Sequence, residues 1–317
     1  MAVSAFSKNF YNKSKEKKKM FITLLKTIIL GIVEGITEWL PISSTGHLII
    51  FQKILNLGMS KSFVSMFDVV IQLGAIMAVV VIYFRKLWPF HTSKNAPAKT
   101  QFSSPQTEGA AGSFQKFADR YIYMDRIVLW LKIIVSVIPA IIVGFPLNDW
   151  MDEHLYNPQV VSAMLIIYGI LFILIENRNK NKDPRVSKIS RISFKDALFI
   201  GIFQCLAMVP GTSRSGATII GGILIGLSRT TAAEYTFYLA IPTMLGASVL
   251  KLAKFGLAFT ALEAAVLLLG CVVSFVVSIF VIKFLMNYIR RHDFKVFGWY
   301  RIVLGVIVIL LGIAGAI

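Results

Sequence analysis

Glu34-Gly-Ile-Thr-Glu38-Trp-Leu-Pro41-Ile-Ser43-Ser44-Thr45-Gly46-His47 breaks an apolar run that extends from about residue 21 to 57. A second break, Pro210-Gly-Thr-Ser213-Arg214-Ser215-Gly216-Ala-Thr218, lies inside the apolar run 196–227. Each run has room for two half-length helices joined by a polar turn. Irregular backbone at membrane depth is tolerated only where protein buries it or it lines a wet cavity. The two runs therefore read as re-entrant helical hairpins, each returning to the face it entered from. Kinked spans are the plainer alternative.

The chain of 317 residues is 56% hydrophobic and only 15% charged, with mean hydropathy +0.72. A soluble domain carries about 25% charged residues. The composition predicts an all-α polytopic membrane protein, with six clean spans at about 66–84, 127–146, 158–176, 233–254, 260–286 and 297–317. A span needs roughly 20 apolar residues. Residues 1–19 form a basic extension expected to be disordered, ahead of a single integral-membrane domain over 20–317. The net charge of +17 does not point to nucleic acid, because the cations sit in connections between apolar segments, where they orient the chain and face anionic lipid. Cys205 and Cys271 both lie in apolar sequence and make no disulfide or metal framework.

If each hairpin returns to its own side, the loop charges sort cleanly. Arg85, Lys86, Lys94, Lys99, Lys116, Arg120 and Arg126 fall on one face, as do the seven cations of 177–195 and Arg290, Arg291 and Lys295. That face is cytoplasmic by the positive-inside rule. The connection 147–157 has Asp149, Asp152 and Glu153 without Lys or Arg, and falls on the other face. Both termini land there too, with the basic N-terminal tail as the one dissenting segment.

The two breaks resemble each other. Gly31 pairs with Gly201, and Pro41-Ile-Ser43-Ser44-Thr45-Gly46 pairs with Pro210-Gly-Thr212-Ser213-Arg214-Ser215. Each half, about 20–176 and 196–317, is then one hairpin followed by three spans. An odd number of spans inverts the second half, and in inverted repeats the broken elements meet near the midplane to form the site.

Ionisable groups inside the membrane are functional candidates by default. Glu34 and Glu38, four apart, share one helix face. Their repulsion calls for a cation or a shared proton, and their hard oxygens suit Mg²⁺ or Ca²⁺ bridging to phosphate. A hydrogen-bonded, protonated pair is the structural alternative. Ser43, Ser44, Thr45 and Gly46 suit a helix N-terminus, either as plain caps or as a phosphate cradle. His47, one turn after Ser44, can activate a hydroxyl or attack phosphorus itself. Arg214 offers a planar fork for two phosphate oxygens. Thr212, Ser213, Ser215 and Thr218 are supporting donors, and Gly211 and Gly216 permit the tight turn. Gln72, Glu234 and Tyr238 are weaker candidates in flanking spans.

At these residues the chain resembles the bacterial undecaprenyl-diphosphatase family, also called bacitracin-resistance proteins. The family carries a Glu-rich segment leading into Pro-x-Ser-Ser-Thr-Gly-His, then Pro-Gly-x-Ser-Arg-Ser-Gly. The resemblance covers about residues 20–317, with Trp39 where Phe is usual. It implies a phosphatase of the cytoplasmic membrane that removes the terminal phosphate of undecaprenyl diphosphate and recycles the carrier for peptidoglycan. The site would open to the outer face and use a divalent cation. Carried onto this chain, Glu34 and Glu38 position the metal, Arg214 clamps the diphosphate, and Ser44 or His47 delivers the attack or the proton. The polyprenyl diphosphate and membrane lipids are the expected partners, with a homodimer as a further candidate. An ion-coupled transporter and a lipid flippase share the repeat and the midplane carboxylates. Neither needs Ser, His, Arg and Glu together.

Overall fold

The computed structural model describes residues 2–90, 121–256 and 258–315, with side chains from Ser14 onward except those of Phe145, Asn148, Asp149 and Asp152. The side chains of Asp149 and Asp152 and the cations Lys94, Lys99, Lys116 and Arg120 thus lie outside what is described. The described residues form eleven α-helices and no β-strand. The first hairpin is α1 (Ala2–Thr37) and α2 (Ser44–Leu55). α3 (Lys61–Val70) and α4 (Gln72–Leu87) continue as one 27-residue span. α5 (Met124–His154) and α6 (Pro158–Asn179) complete the first half. The second hairpin is α7 (Phe194–Leu206) and α8 (Arg214–Leu224), followed by α9 (Arg229–Phe255), α10 (Ala261–Tyr288) and α11 (Lys295–Ile313).

Among the described residues, seven helices are long and apolar enough to cross a membrane. Six match the clean spans read from the sequence. The seventh is Ser14–Thr37, the first arm of the first hairpin. The hairpins are thus unequal, with one full-length arm in the first and two short arms in the second. α7 and α8, with 13 and 11 residues, are about 20 and 17 Å long, well short of a hydrocarbon core of about 30 Å. Large apolar side chains point outward from the spans: Ile142, Leu268 and Phe280 are all more than half exposed. A helix apolar on all sides calls for lipid as its solvent. α1 runs unbroken from Ala2 to Thr37. No Gly or Pro occurs before Gly31, so nothing in the sequence stops the helix from propagating backwards.

Both ends of the second hairpin lie together. Val186 N donates to Gly226 O at 3.0 Å, and Ser228 N donates to Val186 O at 2.8 Å. The first hairpin also doubles back, so that Lys26 Nζ on α1 donates to Asn56 O just past α2 at 2.7 Å.

The helix pairing follows an inverted repeat. α1 packs on α10, the second long span of the other half, and α7 packs on α5. Both pairs run parallel. Gly31 faces Gly270 and Val273, and further along, Ser278 Oγ donates to Gly35 O. In the other pair Ser136 Oγ donates to Ala197 O, and Gly144 faces Met208. The equivalent third spans, α6 and α11, pack on each other antiparallel, Met164 beside Arg301 and Phe172 against Phe294. α4 and α9 are antiparallel too, with Lys86 on Glu234 and Tyr83 on Tyr238.

The structure corrects the pairing of the two tips by one residue. Ser43 caps α2 and accepts from Gly46 N, while Ser213 caps α8 and accepts from Gly216 N. These pairs share the offset of Gly31 and Gly201, whereas Pro41 with Pro210 falls one residue short of it. The cap geometry sets the register, and proline does not. Ser43 and Ser213 have φ of 73° and 71°, a left-handed conformation that costs about 1–3 kcal/mol in a non-glycine residue. The same strained serine stands at both tips. Gly211 is also left-handed, with φ 92°, and a Cβ there would meet Val161 O at 2.5 Å.

Candidate active site

The two tips meet in the interior. Arg214 Nη2 donates to Glu38 Oε1 at 3.0 Å, joining the first residue of α8 to the end of the first arm. Arg214 Nη1 donates to Thr236 O at 3.1 Å on α9, and the guanidinium lies 5.8 Å from the Trp39 ring centre. Ser44 Oγ donates to the other oxygen of Glu38 at 2.9 Å. Glu38 therefore has one oxygen on the nucleophile candidate of its own hairpin and one on the cation of the other. Ser215 Oγ ties the tips a second time, donating to Glu38 O at 3.1 Å.

A cavity of about 270 Å³ opens at this junction, lined by Glu38, Ser44, Thr45, Gln72, Ser213 and Arg214. Met208, Met244 and Ala247 supply its apolar wall. The other expected phosphate ligands serve the frame. Ser43 Oγ and Ser213 Oγ cap their helices. Thr218 Oγ1 donates to Arg214 O at 2.9 Å and accepts from Thr236 at 2.8 Å. Gly46 and Gly216 contribute their backbone N–H groups to the caps.

His47 faces away from Ser44. Its Nδ1 lies 2.7 Å from Ser43 O and its Nε2 2.7 Å from the Tyr300 hydroxyl. The carbonyl can only accept, so Nδ1 carries the proton and Nε2 accepts from Tyr300. Glu234 and Tyr238 lie elsewhere, hydrogen-bonded to one another and, through Glu234, to Lys86.

Glu34 is fully buried, no N–H or hydroxyl donates to its carboxyl oxygens, and it lies within hydrogen-bonding reach of the Glu38 carboxyl. A buried carboxylate with no such donor calls for a proton or a cation. Glu38 and Ser44 add further oxygen donors close by, so the donor set fits a hard divalent ion. Among the described residues no three His, Cys, Asp or Glu side chains cluster as ligands. Water and phosphate oxygens would complete such a shell, the usual mode for Mg²⁺.

Two residues of this region escaped the reading of the sequence. Arg301, fully buried on α11, donates to Pro41 O at 3.2 Å in one tip and to Gly211 O and Thr212 O, both at 2.8 Å, in the other. Longer contacts reach Leu165 O and Met164 O at 3.5 and 3.4 Å. Backbone carbonyls, rather than a carboxylate, take its charge. Asp68 on α3 accepts from Gln52 on α2. A lone charge inside an apolar span was the available signal for both.

Residues 27–307 match the family described as bacitracin resistance protein BacA. A protein of Enterococcus faecalis named undecaprenyl-diphosphatase is 53% identical over 291 residues, covering 92% of this chain and 98% of that protein. Proteins of the same name from Latilactobacillus sakei and Lachnoclostridium phytofermentans are 54% and 55% identical, over 91% of this chain and 97% and 96% of their own lengths. Matched along nearly its whole spanning region, the chain belongs to the bacitracin resistance protein BacA family.

Proposed function

We propose that this chain is an undecaprenyl-diphosphate phosphatase. It hydrolyses undecaprenyl diphosphate to undecaprenyl phosphate and inorganic phosphate, recycling the lipid carrier for peptidoglycan synthesis and conferring bacitracin resistance. Its relatives bear that activity in their names. The observation that carries the reading on this chain is the hydrogen-bonded series Ser44–Glu38–Arg214 at a buried junction of two helical hairpins. The hairpins re-enter a bacterial cytoplasmic membrane, with the basic loops inside and the cavity open to the outer face.

Phosphoryl transfer depends mainly on positioning and charge neutralisation. Arg214 supplies a cation beside the cavity, and its buried Nε has no partner within the protein, so a donor is free for a phosphate oxygen. Glu38 is placed to take the proton of Ser44 as its oxygen attacks the terminal phosphorus. That step forms a serine–phosphate bond and breaks the P–O bond to the leaving carrier phosphate, and water then releases phosphate. Glu34 and Glu38 would hold Mg²⁺ or Ca²⁺. When bound, that ion neutralises charge on the diphosphate. The geometry favours Ser44 over His47 as nucleophile, because both imidazole nitrogens are engaged away from it. His47 instead ties α2 to α11 through Tyr300. Both tips come from one chain.

The deciding assay uses purified protein in detergent, with no gradient. It should release inorganic phosphate from undecaprenyl diphosphate, and a chelator should stop the release. Movement of lipid without phosphate release would replace this reading with a transporter or flippase. Ser44→Ala should lower turnover roughly 10³-fold or more, within the range set by removal of a nucleophile, while His47→Ala should cost less. Near-normal release by Ser44→Ala would assign the attack to His47 or to water.

A further inference from the structure

The ends of α4, α5 and α9 and the segment 187–190 enclose a second cavity, of about 570 Å³. Its wall carries five cations, Arg85, Lys86, Arg126, Lys132 and Lys188, against two carboxylates, Asp125 and Glu234. Lys86 and Glu234 satisfy each other at 2.6 Å, and Arg126 donates to Trp88 O.

Lys132 is different. It is only 8% exposed, and its ammonium makes one hydrogen bond, at the limit of such a bond, 3.5 Å from Ser190 O, beside a looser approach to the Phe194 ring, 5.9 Å from its centre. The neighbouring carboxylate, Asp196, is already taken by Arg185 and by the Ser193 cap. An ammonium brings three donors, and burying one this poorly matched is costly unless an anion joins it. Thr230 and Thr231, also in the wall, belong to the first turn of α9, whose N-terminal dipole favours negative charge. This cavity is distinct from the catalytic one. α9 contributes Thr230, Thr231, Glu234 and Tyr238 here and Thr243, Met244 and Ala247 there.

We propose that this cavity binds a phosphate group, presented by an anionic phospholipid headgroup or as the free ion, with Lys132 as its buried anchor. Basic pockets between spans on the positively charged face are suited to such headgroups, and Val128 and Leu129 give the wall an apolar edge for the glycerol end.

The test titrates the full-length protein in detergent with short-chain phosphatidylglycerol, with the matching diacylglycerol, and with inorganic phosphate, reading the melting temperature. Phosphatidylglycerol should give a saturable rise, and diacylglycerol none. Lys132→Met should weaken the apparent Kd at least tenfold, and Lys132→Arg should retain it. Lys195→Gln, a charge on the same face outside the cavity, should change it less than twofold. Lys188→Gln, on the exposed rim, probes the same wall without touching the core and should weaken binding severalfold. A saturable rise with inorganic phosphate alone, lost in Lys132→Met, would support the site and name the free ion as its occupant. Unchanged affinity in both Lys132→Met and Lys188→Gln, equal loss in Lys195→Gln, or no saturable response to either phosphate compound would overturn the proposal. Lys132→Met should still release phosphate from undecaprenyl diphosphate at the wild-type rate, which establishes that it folds.

Discussion

Arg214→Ala and Glu38→Ala are each expected to lower phosphate release by roughly two to four orders of magnitude, the range for losing a preorganised charge or a general base. Glu38 is the node of the site: it accepts from Ser44 on one oxygen and from Arg214 on the other. Removing Glu38 leaves Ser44 without its proton acceptor and Arg214 without its anchor. Removing Arg214 takes away the cation facing the diphosphate and leaves a buried carboxylate unpaired, which is itself destabilising. The double variant should therefore be little worse than either single one, as expected for residues that act as a unit. Steady-state release at saturating lipid, with a melting curve for each variant, checks this. Activity near wild type in a folded single variant would sink the site as drawn.

Arg301→Leu should abolish activity although Arg301 is not among the residues lining the catalytic cavity. The guanidinium holds Pro41 in one tip and Gly211 and Thr212 in the other. Each buried carbonyl left without a donor costs about 1–3 kcal/mol, so the melting temperature should fall along with turnover. Arg301→Lys should not rescue either, because a point charge cannot span carbonyls from two hairpins as a planar fork does. A melting temperature and turnover like those of the wild type in Arg301→Leu would show that the tips hold together without it.

The sequence discloses the broken segments because Pro, Gly, Ser and Thr cannot hide in apolar runs. The meeting of Glu38 with Arg214 follows from treating the two breaks as related. Other features turn on distances no spacing encodes. Arg301 stands near the start of an apolar segment, where an arginine reads as a charge reaching for a headgroup. Ser44 and His47, one turn apart, invite a pairing that the cap at Ser43 forbids by drawing the imidazole to its own carbonyl. Ser215 and Thr218 look like phosphate ligands but are spent on holding Glu38 O and Arg214 O in place. The one-residue error in register has the same origin, since proline is the visible mark of a turn but the capping serine sets its geometry.

The twin caps carry a consequence of their own. Ser43 and Ser213 show that both tips share one capping conformation, yet the residue after each differs: Ser44 in one, Arg214 in the other. Two identical tips meeting on an axis would set acid against acid or base against base. Held within a single polypeptide, the tips are free to diverge, one bringing Glu38 and Ser44 and the other the counter-charge of Arg214. The symmetry survives in the capping serines and is given up in the side chains that follow them, where unlike groups meet.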